Sequence, residues 1–353
     1  MAAIERVMES QQFILGAEVQ AFEGEIAELL RTKYAVGCAS GTSALELALA
    51  ALGIKAGDEV ITTPYTFVAT AGAIAQAGAK PVFVDVDPQT FNLDPQRIES
   101  ALNPKTRAII PVHLFGQSAD LEPILKIAKG QKLAVIEDAA QAIGACYRDA
   151  PLGSLGTMGC FSFFPSKNLG GAGDGGMITT NDEKLARRLR LLRVHGSGRR
   201  YHYEILGSNS RLDAIQAAVL RAKLPHLAQW SDGRRRVAAR YHELFAEYHL
   251  ERQVKLPAEL KDRTHVYNQF VIRCPHRDAL RDFLAARGIP TEIYYPLPLH
   301  LQPAFRYLEN PPGTFPEAEA ASRETLVLPI YPELKEEHLM RVVSAIAEFY
   351  AER

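Results

Sequence analysis

The chain has 353 residues, 47% hydrophobic and 23% charged, with 40 Lys and Arg against 41 Asp and Glu for a formal balance of −1. That is a globular composition with ample chain for two domains or one large α/β domain with a companion, and it argues against a mini-protein or a disordered segment. A balance this close to neutral provides no long-range field for a nucleic-acid backbone or an anionic membrane, so neither is expected as a partner.

Cys38, Cys146, Cys160 and Cys274 include no C-x-x-C pair and lie in apolar or strand-like runs. They read as reduced core residues of a cytoplasmic protein, not as a disulfide frame or a zinc site. The N-terminal MAAIERVMESQQFILG carries charges where a signal peptide needs an apolar run. No stretch reaches the roughly 18 apolar residues of a membrane span.

From Tyr34 to Asp138, short β-branched runs alternate with helical patterns. YAVGCAS leads to GTSALELALAAL, DEVITTP to TFVATAGAIAQAG, KPVFVDVD to DPQRIESAL, and RAIIPVHL to DLEPILKIAKG before LAVIEDAA ends the series. This rhythm predicts parallel βαβ units. The strands are apolar along most of their length, as a sheet covered by helices on both faces requires. Ligands of such sheets bind at the carboxyl ends of the strands.

Two further strand-like runs follow, CFSFFP and GGMITT, joined by a Gly-rich connection; then come a basic helix, DEKLARRLRLLRVHG, and a polar loop. A long helical pattern from about Asp213 to Tyr248 is interrupted at Pro225, where the missing N–H predicts a kink or break. Beyond 249, HVYNQFVIRCP alternates like a half-exposed strand, RDALRDFLAARG is helical with Gly288 as its stop, and TEIYYPLPLHLQPAF suits an ordered loop. The division expected is therefore residues 1–248 as a large domain and 249–353 as a small α+β domain.

The most informative segment is FSFFPSKNLGGAGDGGMITT. Lys167 follows an aromatic strand and precedes a cluster of glycines. A lysine desolvated in such a turn loses charge stabilisation, so its neutral amine becomes nucleophilic toward carbonyls. Lys167 is a Schiff-base candidate, weighed against an ordinary surface lysine. Asp138 ends an apolar strand at the ligand-binding edge, where a carboxylate can pair with a protonated ring nitrogen, ligate a metal or cap a helix. No His stands at metal-ligand spacing from Glu137 or Asp138, and no metal site is expected. Ala39-Ser40-Gly41-Thr42-Ser43 joins a strand to a helix and presents free N–H groups and hydroxyls at a positive helix end, either a phosphate cradle or simple N-capping. Ser162 can add a hydroxyl. Gly171–Gly176 satisfies G-x-G-x-x-G, but it lies mid-chain and leads into a strand, which is the wrong context for a dinucleotide fingerprint.

ASGTSALELAL, PYTFVAT, PVHLFGQ, EDAAQAIGA, FSFFPSKNLGGAGDGGMI, GSNSRLDAIQAAVL and YYPLPLHLQPAF, in that order, resemble the DegT/DnrJ/EryC1/StrS family of sugar-nucleotide aminotransferases. The resemblance runs from about Phe13 to the C-terminus. It implies an α/β, aspartate-aminotransferase-like fold (type I of the pyridoxal-phosphate enzymes), with a mostly parallel seven-stranded sheet, helices on both faces and the smaller C-terminal domain. The implied cofactor is pyridoxal 5'-phosphate, joined to Lys167, with Asp138 at the pyridine nitrogen and Gln141 at the ring hydroxyl. Gly41, Thr42 and Ser162 would hold the phosphate and Phe67 would stack on the ring. Asn209 would reach the phosphate in a neighbouring subunit, which implies a homodimer with shared sites. Arg211 is either a clamp on an acidic substrate or a helix-start arginine. Tyr294, Tyr295 and His300 match the family's substrate-lining loop, or else are packed aromatic residues.

The implied reaction moves an amino group from glutamate to a UDP- or dTDP-linked keto sugar. Asp174 stands where members acting at C-4 more often have Glu, which points to C-3. UDP-2-acetamido-3-keto-glucuronic acid ranks slightly ahead of a dTDP-3-keto-6-deoxyhexose. A pyridoxamine-phosphate-dependent sugar dehydratase and a non-catalytic regulator are the alternatives, and Lys167 speaks against the dehydratases, which carry His there.

Overall fold

The apolar runs of the first half become strands, and its 3.6-periodic runs, apart from DPQRIESAL, become helices of nine residues or more. The computed structural model describes residues 1–352. In chain order the elements are α1 (Ala2–Ser10), α2 (Ala17–Leu29), β1 (Tyr34–Cys38), α3 (Gly41–Leu52), β2 (Glu59–Thr62), α4 (Val68–Gln76), β3 (Lys80–Phe83), α5 (Ile98–Ala101), β4 (Thr106–Ile109), α6 (Leu121–Gln131) and β5 (Ala134–Asp138). Two short strands, β6 (Cys146–Tyr147) and β7 (Ala150–Pro151), precede β8 (Met158–Ser162), β9 (Gly176–Thr180) and α7 (Glu183–Leu192). The remainder comprises β10 (Ser197–Arg199), β11 (His202–Tyr203), α8 (Ala214–Lys223), α9 (Leu227–Glu247), β12 (Phe270–Arg273), α10 (Arg277–Ala286), α11 (Pro316–Glu324), β13 (Thr325–Leu328) and α12 (Glu336–Ala351).

Seven strands form the central sheet in the order β1-β9-β8-β5-β4-β2-β3. All run parallel except β9, which is antiparallel to both neighbours. The reversal has a local cause. The connection from Ser162 to Gly176 returns the chain to the edge it has just left, since those two residues are direct partners across β8 and β9. Cys38 also pairs with Gly176, and Asp138 with Cys160, so the ends of β1, β5 and β8 and the turn bearing Lys167 share one carboxyl edge. Gly176 is required there, because a Cβ would lie 2.2 Å from the Ser40 carbonyl oxygen.

Consecutive residues of β8 serve opposite cores, as the twofold period of a strand demands. Phe161 packs with Phe22, Ile26, Phe163 and Leu220 under α2 and α8, whereas Cys160 packs with Leu45, Leu49, Ile136 and Leu189 under α3 and α7. A separate core gathers Tyr241, Phe245, Phe270, Leu284, Leu328 and Ile346 around the antiparallel pair β12 and β13. Helix α9 spans both regions, with Leu227 in the first core and Val237 to Phe245 in the second.

Pro225 lies in a 3-10 turn, Leu224–His226, that separates α8 from α9, as its missing N–H predicts. Gly288, at φ 68°, follows α10 by two residues, consistent with its role as a stop. Elsewhere the structure departs from the sequence pattern. DPQRIESAL forms a 3-10 turn and only one turn of α-helix, because Asp94 caps Gln96 and Leu102 turns extended. The polar loop contains the β10 and β11 hairpin, and the Pro-rich loop contains two 3-10 turns, Leu299–Leu301 and Pro303–Leu308.

Candidate active site

A cavity of about 640 Å³ opens at the carboxyl edge of the sheet. Gly41, Thr42, Phe67, Asp138, Gln141, Ser162, Lys167, Tyr294 and Tyr295 all line it. These residues come from separate stretches of chain, and only the sheet brings them together.

One wall is the N-terminus of α3. Ser40 is extended and its Oγ accepts from the Ser43 amide at 3.1 Å, while Ser40 O accepts from Ala44. The amides of Gly41 and Thr42 make no hydrogen bond among the described residues. Two N–H donors and the Thr42 hydroxyl thus remain at the positive end of a 12-residue helix, the arrangement that attracts a phosphate. Ser40 provides the cap, and the amides of Gly41 and Thr42 stay open beside it. Gly41 presses on Ser162: a Cβ on the glycine would lie 2.7 Å from the serine Cβ.

At the floor, Asp138 is 5% exposed. Its Oδ2 accepts from Thr70 Oγ1 at 2.8 Å and its Oδ1 from the Ala140 amide at 3.2 Å. Burial raises its pKa above the usual carboxylate range, opposed by those two bonds and by the positive charge of Lys167. A desolvated carboxylate with spare lone pairs suits a cation docked against it. Lys167 Nζ makes no hydrogen bond or ion pair among the described residues. Burial lowers its pKa to about 8, against the pull of Asp138. Roughly a tenth of such amines are neutral at pH 7.

Gln141 is fixed at both ends. Its Oε1 accepts from the Phe115 amide at 2.7 Å, and its Nε2 donates to Tyr295 Oη at 3.2 Å, which leaves one N–H for a ligand. Phe115 is held in the left-handed region at φ 61°. Tyr65 donates to the Tyr294 carbonyl at 2.6 Å and so anchors the Tyr294 and Tyr295 loop over the cavity. Phe67 precedes α4 as a 54% exposed residue, its ring 6.2 Å from the Tyr295 ring. An aromatic face left this open on a cavity wall is suited to a flat ligand ring.

Three expected site residues do not line this cavity. Asn209 is exposed and pairs in an isolated bridge with Val194. Arg211 is half-buried ahead of α8 and has no hydrogen bond or ion pair among the described residues. His300 is 2% exposed, its Nε2 3.1 Å from Glu319 Oε1 and its ring edge-on to Phe315. The structure therefore makes His300 a core histidine, because the 3-10 turn that carries it faces inward onto α11.

The sequence pattern did not reveal Thr66, Thr70 and Gln269. Thr66 Oγ1 lies 3.0 Å from Thr70 Oγ1, so a chain of hydroxyls ends on Asp138; the four-residue spacing in YTFVAT was its only trace. Gln269 lines the cavity from the segment before β12 and had no signal.

An unpaired amine near a desolvated carboxylate, with a helix end whose first amides are open, on an α/β sheet, is the arrangement expected of an aminotransferase. The chain belongs to the DegT/DnrJ/EryC1/StrS aminotransferase family, whose model it matches over residues 1–347. It is 55% identical to the pleiotropic regulatory protein of Geobacillus stearothermophilus, over 99% of this chain and 94% of that protein. It is 48% identical to the UDP-N-acetyl-3-dehydro-alpha-D-glucosamine 3-aminotransferase of Acidithiobacillus ferrooxidans, over 98% and 92%. The crystal structure of S. venezuelae DesV in complex with a ketimine intermediate superposes with a TM-score of 0.96 at 45% identity, covering 100% of this chain and 94% of that one.

Proposed function

We propose that the protein is a pyridoxal-phosphate-dependent transaminase that moves the amino group of glutamate to C-3 of a UDP- or dTDP-linked keto sugar. The observation that carries this reading is the pairing of a partly neutral Lys167 with a buried Asp138 in one cavity, opposite the unpaired amides of Gly41 and Thr42. Bound pyridoxal phosphate supplies a carbonyl that condenses with primary amines and a ring that accepts the electron pair left when a carbon loses its proton.

The chain supplies the rest. Lys167 Nζ would hold the cofactor and, as a partly neutral amine, would take and return the proton at the α-carbon of the donor. Asp138 would keep the ring nitrogen protonated, with its carboxylate oriented by Thr70 and Ala140. The α3 amides with Thr42 and Ser162 would hold the phosphate, Gln141 Nε2 would be free to bond the ring hydroxyl, and Phe67 would stack on the ring. Asp174 is an exposed rim carboxylate without an ion pair among the described residues, suited to accept from a sugar hydroxyl. Tyr294 and Tyr295 close the substrate side.

Asn209 and Arg211 lie outside their own chain's cavity and have side chains without partners among the described residues, which favours a homodimer in which they complete the partner's site. We read residues 1–248 as the cofactor-binding domain and 249–353 as the smaller one, and the protein as cytoplasmic. No helix among the described residues is long and apolar enough to cross a membrane.

The name of the Geobacillus relative suggests a regulator, but a protein relieved of catalysis has no need to keep both Lys167 and Asp138 at their present desolvation cost. The test is direct. Protein loaded with pyridoxal phosphate should turn yellow, be fixed by borohydride at Lys167, and release 2-oxoglutarate from glutamate in a ping-pong cycle with a 3-keto sugar nucleotide. A cofactor-loaded protein that releases no 2-oxoglutarate overturns the reading.

A further inference from the structure

Gln269 stands in the cavity wall with its side-chain amide unpinned. Its Oε1 is buried without a hydrogen-bond partner, and its Nε2 makes no hydrogen bond among the described residues either. Its neighbours differ. Gln141 is bonded at both ends, and Gln117, two residues from Phe115, donates to the Ala258 carbonyl at 2.8 Å and accepts from the Leu260 amide at 2.9 Å. The backbone of Gln269 is nevertheless held. Its N–H reaches the Phe115 carbonyl at 3.4 Å, and Arg234 donates to the carbonyls of Tyr267 and Asn268 just before it. With the backbone fixed and the carboxamide free, the terminal amide torsion is soft, since it is broad and roughly twofold.

The charges around it narrow its role. Among the described residues, the charged side chains lining the cavity are Asp138, Lys167 and Asp174. On the function proposed above, the cavity takes two chemically opposite substrates in turn, an acidic amino donor that needs hydrogen-bond donors and a sugar whose hydroxyls and amide need acceptors. An amide is the side chain that offers either, through –NH2 or C=O, with no change of charge.

We propose that Gln269 reads both substrates by turning its carboxamide. Its –NH2 donates to a carboxylate of the amino donor, and after a half turn its C=O accepts from a hydroxyl or amide N–H of the sugar. This rests on the transaminase reading and adds to it the residue that lets one cavity discriminate twice. The unpaired oxygen is then the state between ligands, since a buried acceptor without a partner is satisfied when a ligand donor arrives.

The test uses cofactor-loaded protein and two ligands that bind without reacting, glutarate and UDP-N-acetylglucosamine, with affinities measured by calorimetry at pH 8.5. Q269L should weaken both by about tenfold, the loss of one ligand hydrogen bond. Q269E keeps the acceptor but adds a negative charge. It should weaken glutarate by at least about a further tenfold and leave the sugar nucleotide within about threefold of wild type. Unchanged cofactor absorbance shows that the variants are folded and loaded. Wild-type affinity of Q269L for either ligand, equal weakening of both by Q269E, or no binding by wild type overturns the role given to Gln269. The transaminase reading stands or falls separately, on release of 2-oxoglutarate by wild type.

Discussion

Glu137 and Asp138 are adjacent carboxylates at the end of β5, and strand alternation sends them to opposite sides of the sheet. Glu137 is fully buried and fully satisfied. It accepts from the amides of Gly153, Leu155 and Gly156 at 2.7, 2.9 and 2.6 Å and lies 3.1 Å from His113 Nε2. His113 Nδ1 accepts from the Ala119 amide, so the proton of the neutral ring sits on Nε2, where it donates to Glu137. On the other side, Asp138 has two donors and burial works against its charge. Lys167 has no partner among the described residues. One side of the strand spends its polar groups on the fold, and the other withholds them for a ligand.

The contrast can be broken or sharpened by exchanging which side is disturbed. The largest effect is expected at Lys167: Lys167→Ala should lower transamination a thousandfold or more in single-turnover assays, since nucleophile and proton carrier are lost together. Asp138→Asn should cost about a hundredfold in turnover yet leave apoprotein stability equal or higher, because a carboxyl with a raised pKa is no asset to the empty fold. Glu137→Gln should do the opposite. Chemical unfolding of the apoprotein should show a loss of about 3 kcal/mol, as an amide –NH2 meets donors that now lack a partner, with turnover per folded molecule within about threefold. Equal effects of the two substitutions on stability would erase the distinction between the sides.

A pH experiment isolates the lysine. Its pKa falls from 10.5 unfolded to about 8 folded, so between these values the unfolded chain holds the extra proton and stability rises with pH. Below pH 8 the buried charge costs up to about 3 kcal/mol, and above 10.5 nothing. The stability advantage of Lys167→Met over wild-type apoprotein should therefore be greatest below pH 8 and vanish as pH climbs through that window. The smallest effect is expected at Thr70→Val, which removes one of two hydrogen bonds to Asp138 and should lower turnover about fivefold, with no loss of cofactor on gel filtration.

The βαβ rhythm was legible because a sheet covered on both faces must be apolar along its strands, and nothing else in the chain imitates that pattern. Lys167, Asp138 and the Ser40 to Ser43 turn were legible for a similar reason, since each stands at a strand end where the local sequence changes abruptly. His300 was misplaced because a histidine in a Pro and aromatic loop looks the same whether its turn faces the cavity or, as here, Glu319 and Phe315. Gln269 and the Thr70 hydroxyl left little trace, because what marks them in the structure is lacking a partner, or having one, Asp138, that is distant in sequence.

Chain order and residue type alone thus determined most of the strands and helices, which amine and carboxylate end up at the carboxyl edge of the sheet, and the family resemblance, because these depend on local periodicity and on strand-end position. Only the tertiary structure decided which polar groups are paired and which are left open. Pairing is a property of three-dimensional neighbours: the desolvation that lowers the pKa of Lys167, the two donors on Asp138 and the free carboxamide of Gln269 come into being when segments as far apart as α3 and the stretch before β12 close around one cavity.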